Sequence, residues 1–183
     1  MGVERGTSSF GNAQIAKGFL VKKTVYLSLG SNLGDRAANL KTAVEHMGEL
    51  GAMVGRSSLY ETEPVEMERQ PWFLNCVVAI ETELMPRQLL ARILAIEQRM
   101  GRRRTQPKGP RPIDIDILLF GGSVVDTPAL SIPHPSMHER RFVLEPLAEI
   151  APDLRHPVFK KTVREMLAAL PPKNDAVRKW KPE

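Results

Sequence analysis

The chain has 183 residues, a formal net charge of +5 and 42% hydrophobic residues, a composition typical of one globular domain. Its single cysteine excludes an internal disulfide, and no stretch approaches the roughly 18 uncharged apolar residues of a membrane helix. Because the first residues lack a basic start followed by an apolar block, we expect a cytoplasmic protein. We expect a mobile extension over residues 1–22 and a single domain over residues 23–183.

Periodic patterns divide residues 24–120 into six elements. Alternation of apolar and polar residues predicts strands over residues 24–30, 53–60, 73–81 and 113–120. Helical spacing predicts one helix over residues 35–47, capped by Asp35, and another from Pro86 to the terminator Gly101. Shorter helical patterns follow at residues 142–150 and 162–170. The order strand, helix, strand, strand, helix, strand predicts an α+β fold of the ferredoxin-like kind, an antiparallel sheet with two helices on one face.

Asp114 and Asp116 stand two residues apart in the last of these strands, so their carboxylates share one face while Ile113, Ile115 and Ile117 share the other. Two adjacent unpaired carboxylates repel each other, and a divalent cation relieves that repulsion. Mg²⁺ suits such a pair, because it accepts one or two carboxylates and completes its shell with water and substrate phosphates. The alternative is an edge strand whose two acids face solvent.

A basic run from Arg99 to Arg111 precedes this strand, with six cations and no acid. Such a run is often only a solvated face of a protein. Here it ends in Gly-Pro-Arg-Pro, whose prolines hold Arg111 close to the aspartates. Carboxylates for a metal beside several arginines form the charge pattern that a polyphosphate requires. An RNA-binding domain that uses the basic run and a metal-dependent nucleotidyltransferase are the two alternatives.

The turn from Gly30 to Asp35 links a strand to a helix, but it lacks the Lys-Ser/Thr of a P-loop and the G-x-G-x-x-G of a dinucleotide site. A turn of this kind is more often structural. Glu97 lies on the helix face that should meet the sheet, where a carboxylate needs hydrogen-bond donors. Its partner is either an arginine of the basic run or a ligand hydroxyl.

Phe73 and Asn75 share one face of the third predicted strand. A ring beside an amide can hold a flat heterocycle, the ring by stacking and the amide by reading its edge. The alternative is a core phenylalanine beside a satisfied asparagine. A further cluster extends from His134, which stands between two prolines, to Arg140 and Phe142. It suits phosphate contact better than zinc binding, because further metal ligands are lacking nearby.

Six motifs in this order resemble those of the 6-hydroxymethyl-7,8-dihydropterin pyrophosphokinase family of folate biosynthesis. They are G-S-N-L-G-D at 30–35, F-L-N at 73–75, E at 97, G-R-x-R at 101–104, G-P-R-x-I-D-I-D-I-L at 109–118 and P-H-x-x-M-H-x-R-x-F at 133–142. The resemblance covers roughly residues 24–150. It implies an ATP- and Mg²⁺-dependent transferase that moves pyrophosphate from ATP to the hydroxymethyl group of the pterin and releases AMP.

The resemblance also implies roles for individual residues. Two Mg²⁺ ions would be held by Asp114 and Asp116, while Arg102 and Arg111 would stabilise the transferred group. The ATP-binding residues would be Glu97, Arg102, Arg104, Arg111, Ile117, Ser131, His134 and Arg140. The pterin-binding residues would be Thr62, Pro64, Val65, Phe73, Asn75, Asp114 and Phe142. Loops at 61–71 and 102–110 would close as lids once ATP is bound.

The chain departs from the family pattern at three positions. Lys108 stands where some members carry Trp, and Pro135 and Ser136 stand where an aromatic or basic residue can occur. We expect these changes to affect closure of the basic loop and contacts with ATP. The expected partners are the two small-molecule substrates, without nucleic acid or membrane, and we expect a monomer.

Overall fold

A computed structural model of the chain describes residues 21–64, 70–102, 109–171 and 177–181. Three residues named above, Val65, Arg104 and Lys108, lie outside the described residues, as do residues 1–20 of the predicted extension. No helix in the described part of the chain is long and apolar enough to cross a membrane.

The described residues form eight strands and four α-helices. In chain order these are β1 (Lys23–Ser31), α1 (Arg36–His46), β2 (Ala52–Arg56), β3 (Tyr60–Thr62), β4 (Phe73–Thr82), α2 (Pro86–Arg99), β5 (Asp114–Phe120), β6 (Val125–Thr127), β7 (Leu130–Ile132), α3 (Arg141–Ile150), α4 (Val163–Ala169) and β8 (Val177–Lys179). The main sheet has the order β5-β1-β4-β3-β8, with β2 also pairing with β4, and β6 and β7 form a separate hairpin. The antiparallel pairing of β1 with β4 and β5 confirms the predicted ferredoxin-like arrangement.

The helix boundaries follow the signals in the sequence. The Asp35 side chain accepts the N–H of Ala38 at 2.9 Å and thereby caps α1. Pro86 occupies the first turn of α2, where its missing N–H removes no helical hydrogen bond. Gly101 follows the end of that helix with a φ of 86°, a left-handed conformation that glycine adopts without a steric penalty.

The strand predicted over residues 53–60 is wrong in one respect, because the chain forms two strands there, β2 and β3. Ser57 lies at the break between them. Its Oγ accepts the backbone N–H of Val77 at 2.9 Å and donates to the carbonyl of Ser58 at 2.8 Å. A side-chain oxygen thus replaces a backbone carbonyl in the ladder, and regular pairing resumes only at Tyr60.

The helices α1 and α2 lie on one face of the sheet, as predicted, and α3 and α4 cover the other face, to which the sequence assigned no element. Val25, Leu27 and Leu29 of β1 pack with α1 and α2 in one apolar core. Val77 of β4 and Leu118 of β5 face the other way and pack with α3 and α4. The two short helices predicted near the C-terminus, α3 and α4, therefore cover the second face. The strand residues that alternate with those of the first core pack beneath these two helices.

A β-bulge interrupts the pairing of β5 with β1. Leu27 pairs with Ile117, but the preceding residue, Tyr26, pairs with Leu119, so that Leu118 is the extra residue. Leu118 and Leu119 both pack in the second core, while Ile117 remains in the first. Upstream of the bulge the alternation is regular and turns Asp114 and Asp116 toward the face that carries α3.

Candidate active site

A cleft opens on this second face of the sheet, between the ends of the central strands and the start of α3. It encloses about 750 Å³ of space, including its open mouth. The residues around it come from five separate segments of the chain. They are Ser28, Gly30, Thr62, Glu63, Pro64, Gln70, Phe73, Asn75, Arg111, Asp114, Asp116, Arg140 and Phe142.

The charged end of the cleft is built around Asp114. Arg102 donates to its Oδ1 at 2.5 Å, and Arg111 donates to its Oδ2 from Nε at 2.7 Å and from Nη2 at 2.5 Å. Arg102 also binds Glu97, which is 2% exposed and accepts the backbone N–H of Ile115 at 2.8 Å. Of the two partners considered for Glu97, the arginine is the one found. Asp114 is therefore paired in this structure, contrary to the expectation of two unpaired carboxylates.

The negative charge of Asp116 is disfavoured at this end of the cleft. Desolvation and then the charge of Asp114 raise the pKa of Asp116 to about 6. The Nε2 atom of His134 lies 3.9 Å from the Asp116 carboxylate. Desolvation and the neighbouring Arg140 lower the pKa of His134 to about 4, so that its ring is neutral at pH 7. Its Nδ1 accepts the N–H of Ser136 at 3.2 Å, which places the ring hydrogen on Nε2.

An oriented amide lies beyond the charged residues. Asn75 is 3% exposed and donates from Nδ2 to the hydroxyl oxygen of Thr62 at 2.8 Å. Gly30 pairs with Asn75 across β1 and β4, and a Cβ at Gly30 would lie 2.6 Å from Oδ1 of that amide. Only glycine leaves room for the amide here, so the first residue of the G-S-N-L-G-D motif forms part of the cleft floor.

Two aromatic rings border the same part of the cleft, Phe73 from β4 and Phe142 from α3. The guanidinium carbon of Arg111 lies 5.1 Å from the centre of the Phe73 ring, and that of Arg140 lies 5.7 Å from the centre of the Phe142 ring. Each ring thus has a cation stacked on it, at a distance typical of cation–π contacts. The Phe73 and Asn75 side chains therefore line a cleft and are not enclosed in the hydrophobic core.

Five of the described residues that the resemblance implies for ATP binding do not line the cleft itself. Three of them lie directly behind the lining, because Arg102 contacts Asp114, Glu97 contacts Arg102 and His134 lies 3.9 Å from Asp116. The other two are Ile117 and Ser131. Ile117 is 5% exposed and packs in the core beneath α1 and α2. Ser131 lies in β7, opposite Asp126 in the hairpin.

Conversely, Ser28, Gln70 and Gly30 border the cleft although no site role was predicted for them. Ser28 precedes Gly30 by two residues in the predicted strand and so shares its face.

The buried Asn32 is a supporting residue that the sequence analysis also missed. Its Oδ1 accepts the backbone N–H of Arg111 at 2.8 Å, and its Nδ2 donates to Gln70 at 3.0 Å. It therefore connects the segment that carries Arg111 to the segment that leads into Phe73. The signal for it was an asparagine directly after β1, within the G-S-N-L-G-D motif.

The acidic pair and guanidinium groups at one end, with an amide and rings at the other, are typical of an enzyme that binds a polyphosphate beside a flat heterocycle. No cluster of three or more His, Cys, Asp or Glu side chains suited to a metal occurs within the described ranges. A divalent cation bound here would therefore use one or both aspartates and oxygens from a ligand.

Comparison with known proteins assigns the family. The family described as 7,8-dihydro-6-hydroxymethylpterin-pyrophosphokinase (HPPK) matches residues 26–152. A 2-amino-4-hydroxy-6-hydroxymethyldihydropteridine pyrophosphokinase from Methylorubrum extorquens is 51% identical over 149 residues, covering 80% of this chain and 93% of that protein. The chain therefore belongs to the HPPK family and is a pyrophosphokinase of folate biosynthesis, which confirms the resemblance seen in the sequence.

Relatives occur both as separate proteins and within longer chains. A pyrophosphokinase of the same name from Aquifex aeolicus is 42% identical over 142 residues, covering 78% of this chain and 89% of that protein. The folic acid synthesis protein fol1 of Schizosaccharomyces pombe is 44% identical over 151 residues, but this chain spans only 21% of its length. The wild-type HPPK-DHPS of Plasmodium falciparum, solved with pteroate, has the same fold, with a TM-score of 0.66 at 20% identity over 81% of this chain and 42% of that one.

Proposed function

We propose that the cleft holds the pterin at its ring-lined end and the triphosphate of ATP at its charged end. The observation that carries this proposal is that Phe73, Asn75, Arg111, Asp114 and Asp116 border one continuous cavity. In the reaction, the hydroxymethyl oxygen of the pterin forms a bond to the β-phosphorus of ATP as the bond from that phosphorus to the AMP oxygen breaks. The hydroxyl proton is lost, and the products are AMP and the pterin diphosphate.

The pterin would be recognised by the amide and the two rings. The orientation of the Asn75 amide is fixed, because its Nδ2 donates to the hydroxyl oxygen of Thr62. Its Oδ1 therefore lies over Gly30, on the floor of the cleft. An oxygen in that position can accept N–H groups on the edge of the heterocycle, while Phe73 and Phe142 stack on its faces. Pro64 contributes a wall of the same end, and Val65 and Asp114 complete the pterin-binding residues that the family pattern implies.

The phosphates would be bound by the guanidinium groups at the charged end. Arg102 and Arg111 both pair with Asp114 in this structure, so each must exchange part of that contact for phosphate oxygens when ATP binds. The neutral His134 can donate its Nε2 hydrogen to a phosphate or to the leaving AMP oxygen. The further ATP contacts that we propose are Glu97, Arg104, Ser131, Arg140 and Ile117, the last through its backbone, because its side chain is in the core.

The two aspartates fit Mg²⁺, and we propose that they hold two ions. Their carboxylates share a face of β5, and desolvation and the charge of Asp114 raise the pKa of Asp116, a conflict that a bound cation would relieve. A divalent cation held by Asp114 and Asp116 would supply neutralisation of the phosphate charge. Asp114 would exchange guanidinium contacts for the cation. The chain's own contribution is thus to keep acids and arginines together in one cleft.

We also propose that this domain spans residues 23–183 behind a mobile extension of residues 1–22, and that the protein is a cytoplasmic monomer. The proposal follows from the sequence alone. Gel filtration with light scattering tests the proposed monomer, because it measures the mass of the protein in solution. Removal of residues 1–22 should leave the activity intact, and a loss of activity would overturn the assignment of that segment as an extension.

Product analysis tests the proposed reaction. The protein is incubated with ATP, Mg²⁺ and hydroxymethyl-dihydropterin, and the products are separated by chromatography and identified by phosphorus NMR. We expect AMP and a pterin diphosphate, whereas ADP would indicate ordinary kinase chemistry and pyrophosphate would indicate nucleotidyl transfer. Asp116→Ala should abolish turnover. Asp153→Asn, at a carboxylate that is 82% exposed and outside the cleft, is the matched control and should be fully active.

A further inference from the structure

A cluster of charged side chains lies on the face of the sheet opposite the cleft, behind the pterin end. Glu61 of β3 pairs with Leu74 on one side and with Arg178 of β8 on the other. Leu74 belongs to the core beneath α1 and α2, and directly opposed residues share a face. Glu61 and Arg178 therefore project away from the cleft, while their neighbour Thr62 faces into it.

Both oxygens of the Glu61 carboxylate have guanidinium partners. Arg178 donates to Oε2 from Nη2 at 2.6 Å and from Nε at 3.1 Å, and Arg36 at the start of α1 donates to Oε1 at 2.8 Å. The Glu61 side chain is only 13% exposed. The hydrogen bond from Arg178, together with that from Arg36, holds the pKa of Glu61 below its ordinary value.

The same two arginines also contact Trp72. Arg36 donates to the Trp72 carbonyl at 2.8 Å, and the guanidinium carbon of Arg178 lies 5.0 Å from the centre of the indole ring. The cluster therefore ties Glu61 to Trp72. Each of these residues directly precedes a residue that borders the pterin end of the cleft, Thr62 in one case and Phe73 in the other.

We propose that Arg178 is a positioning residue for the pterin, acting through Glu61 and Trp72 on Thr62 and Phe73. It is not among the described residues that line the cleft, and it lies beyond residues 26–152, which carry the family match. The inference rests on the proposed placement of the pterin. Without Arg178, β3 would keep its pairing with β4, but Glu61 and Trp72 would be joined only through Arg36, and the indole ring would lose its cation. The amide of Asn75, which relies on Thr62, would then lose its fixed orientation.

Steady-state kinetics of Arg178→Ala and Arg178→Lys test this inference. We expect Arg178→Ala to raise the KM for the pterin by about threefold to tenfold, the effect of losing one ion pair and one cation–π contact. The KM for ATP and kcat should change by less than about twofold, and the Tm should fall by no more than about 4 °C. Arg178→Lys keeps the charge but loses the planar group, so it should restore only part of the pterin affinity.

The matched control is Lys179→Ala, because Lys179 is the next residue of the same strand but binds Glu149 at 3.5 Å, away from Glu61. It should leave the pterin KM unchanged. If Arg178→Ala lowers the Tm with no change in the pterin KM, Arg178 is merely structural and the inference is overturned. Asn75→Ala separates the two proposals. If it too leaves the pterin KM unchanged, the proposed pterin site is wrong, whereas a rise for Asn75→Ala alone refutes only the role of Arg178.

Discussion

Substitution of the glycine on the cleft floor is a stringent test of the pterin site. In Gly30→Ala, the new Cβ would lie 2.6 Å from Oδ1 of Asn75 and 3.6 Å from the Phe73 ring, and the first distance is far inside van der Waals contact. The Asn75 amide cannot simply retreat, because its Nδ2 is bonded to Thr62 at 2.8 Å. We expect the amide to turn or shift by several tenths of an ångström, which weakens that hydrogen bond.

The size of the effect follows from the two consequences of this shift. Overpacking a closed site costs about 1–3 kcal/mol, and the loss of one hydrogen bond costs about 1 kcal/mol. A pterin that is read by the same amide would lose a comparable amount of binding free energy, or roughly tenfold in Kd for each 1.4 kcal/mol. Titration calorimetry of the pterin in the presence of an unreactive ATP analogue measures this loss. We also expect the Tm to fall by roughly 2–4 °C per kcal/mol of destabilisation.

The control for this experiment is Gly48→Ala, because a Cβ at Gly48 meets no atom within 4 Å. It introduces the same methyl group without the clash and should bind the pterin with wild-type affinity. Wild-type affinity and wild-type Tm in Gly30→Ala itself would refute the reasoning. They would mean that the amide is neither fixed by Thr62 nor used to read the substrate.

Three further predictions concern the charged end of the cleft in the metal-free protein. The pKa of Asp116 is raised from 3.8 to about 6, so the free energy of unfolding falls as the pH rises from about 4 to 6. Asp116→Asn should remove this pH dependence, which thermal unfolding across that pH range measures. The pKa of His134 is lowered from 6.5 to about 4, and NMR titration should show a neutral ring at pH 6, whereas a midpoint near 6.5 would contradict the structure. Glu97→Ala removes the acceptor of the Ile115 N–H and should destabilise the fold by about 1–3 kcal/mol, which an unchanged unfolding midpoint in denaturant would disprove.

The sequence was sufficient for those elements whose pattern is local. The alternation in β1, β4 and β5, the cap of α1 and the end of α2 all depend on residues close together in the chain, and their predictions are confirmed. The division of the predicted strand at Ser57 depends on a hydrogen bond to Val77, twenty positions away, which no local pattern contains. The strands β6, β7 and β8 have three residues each, too few to establish a period.

The same distinction applies to the site. The common face of the two aspartates follows from spacing alone, as does that of Phe73 and Asn75. The contact of Arg111 with Asp114 agrees with the prediction that the flanking prolines hold this arginine close to the aspartates. The contact of Arg102 with Asp114 depends on tertiary structure, since a basic residue twelve positions away gives no indication of which carboxylate it meets. The roles of Asn32 and Glu61 depend on partners from separate segments of the chain. Such residues resemble ordinary polar residues until the segments are brought together.

The bulge in β5 allows two consecutive leucines to face the same side of the sheet. Leu118 and Leu119 both pack in the second core, and Phe120 beyond them returns to the first core, which also contains Ile117. Deletion of one leucine would therefore leave strict alternation from Asp114 to Phe120, with every remaining side chain on its present side. Deletion of a residue between Asp114 and Ile117 would instead turn the upstream end over and exchange acids for isoleucines. Tolerance to the loss of one residue is thus confined to the leucine pair.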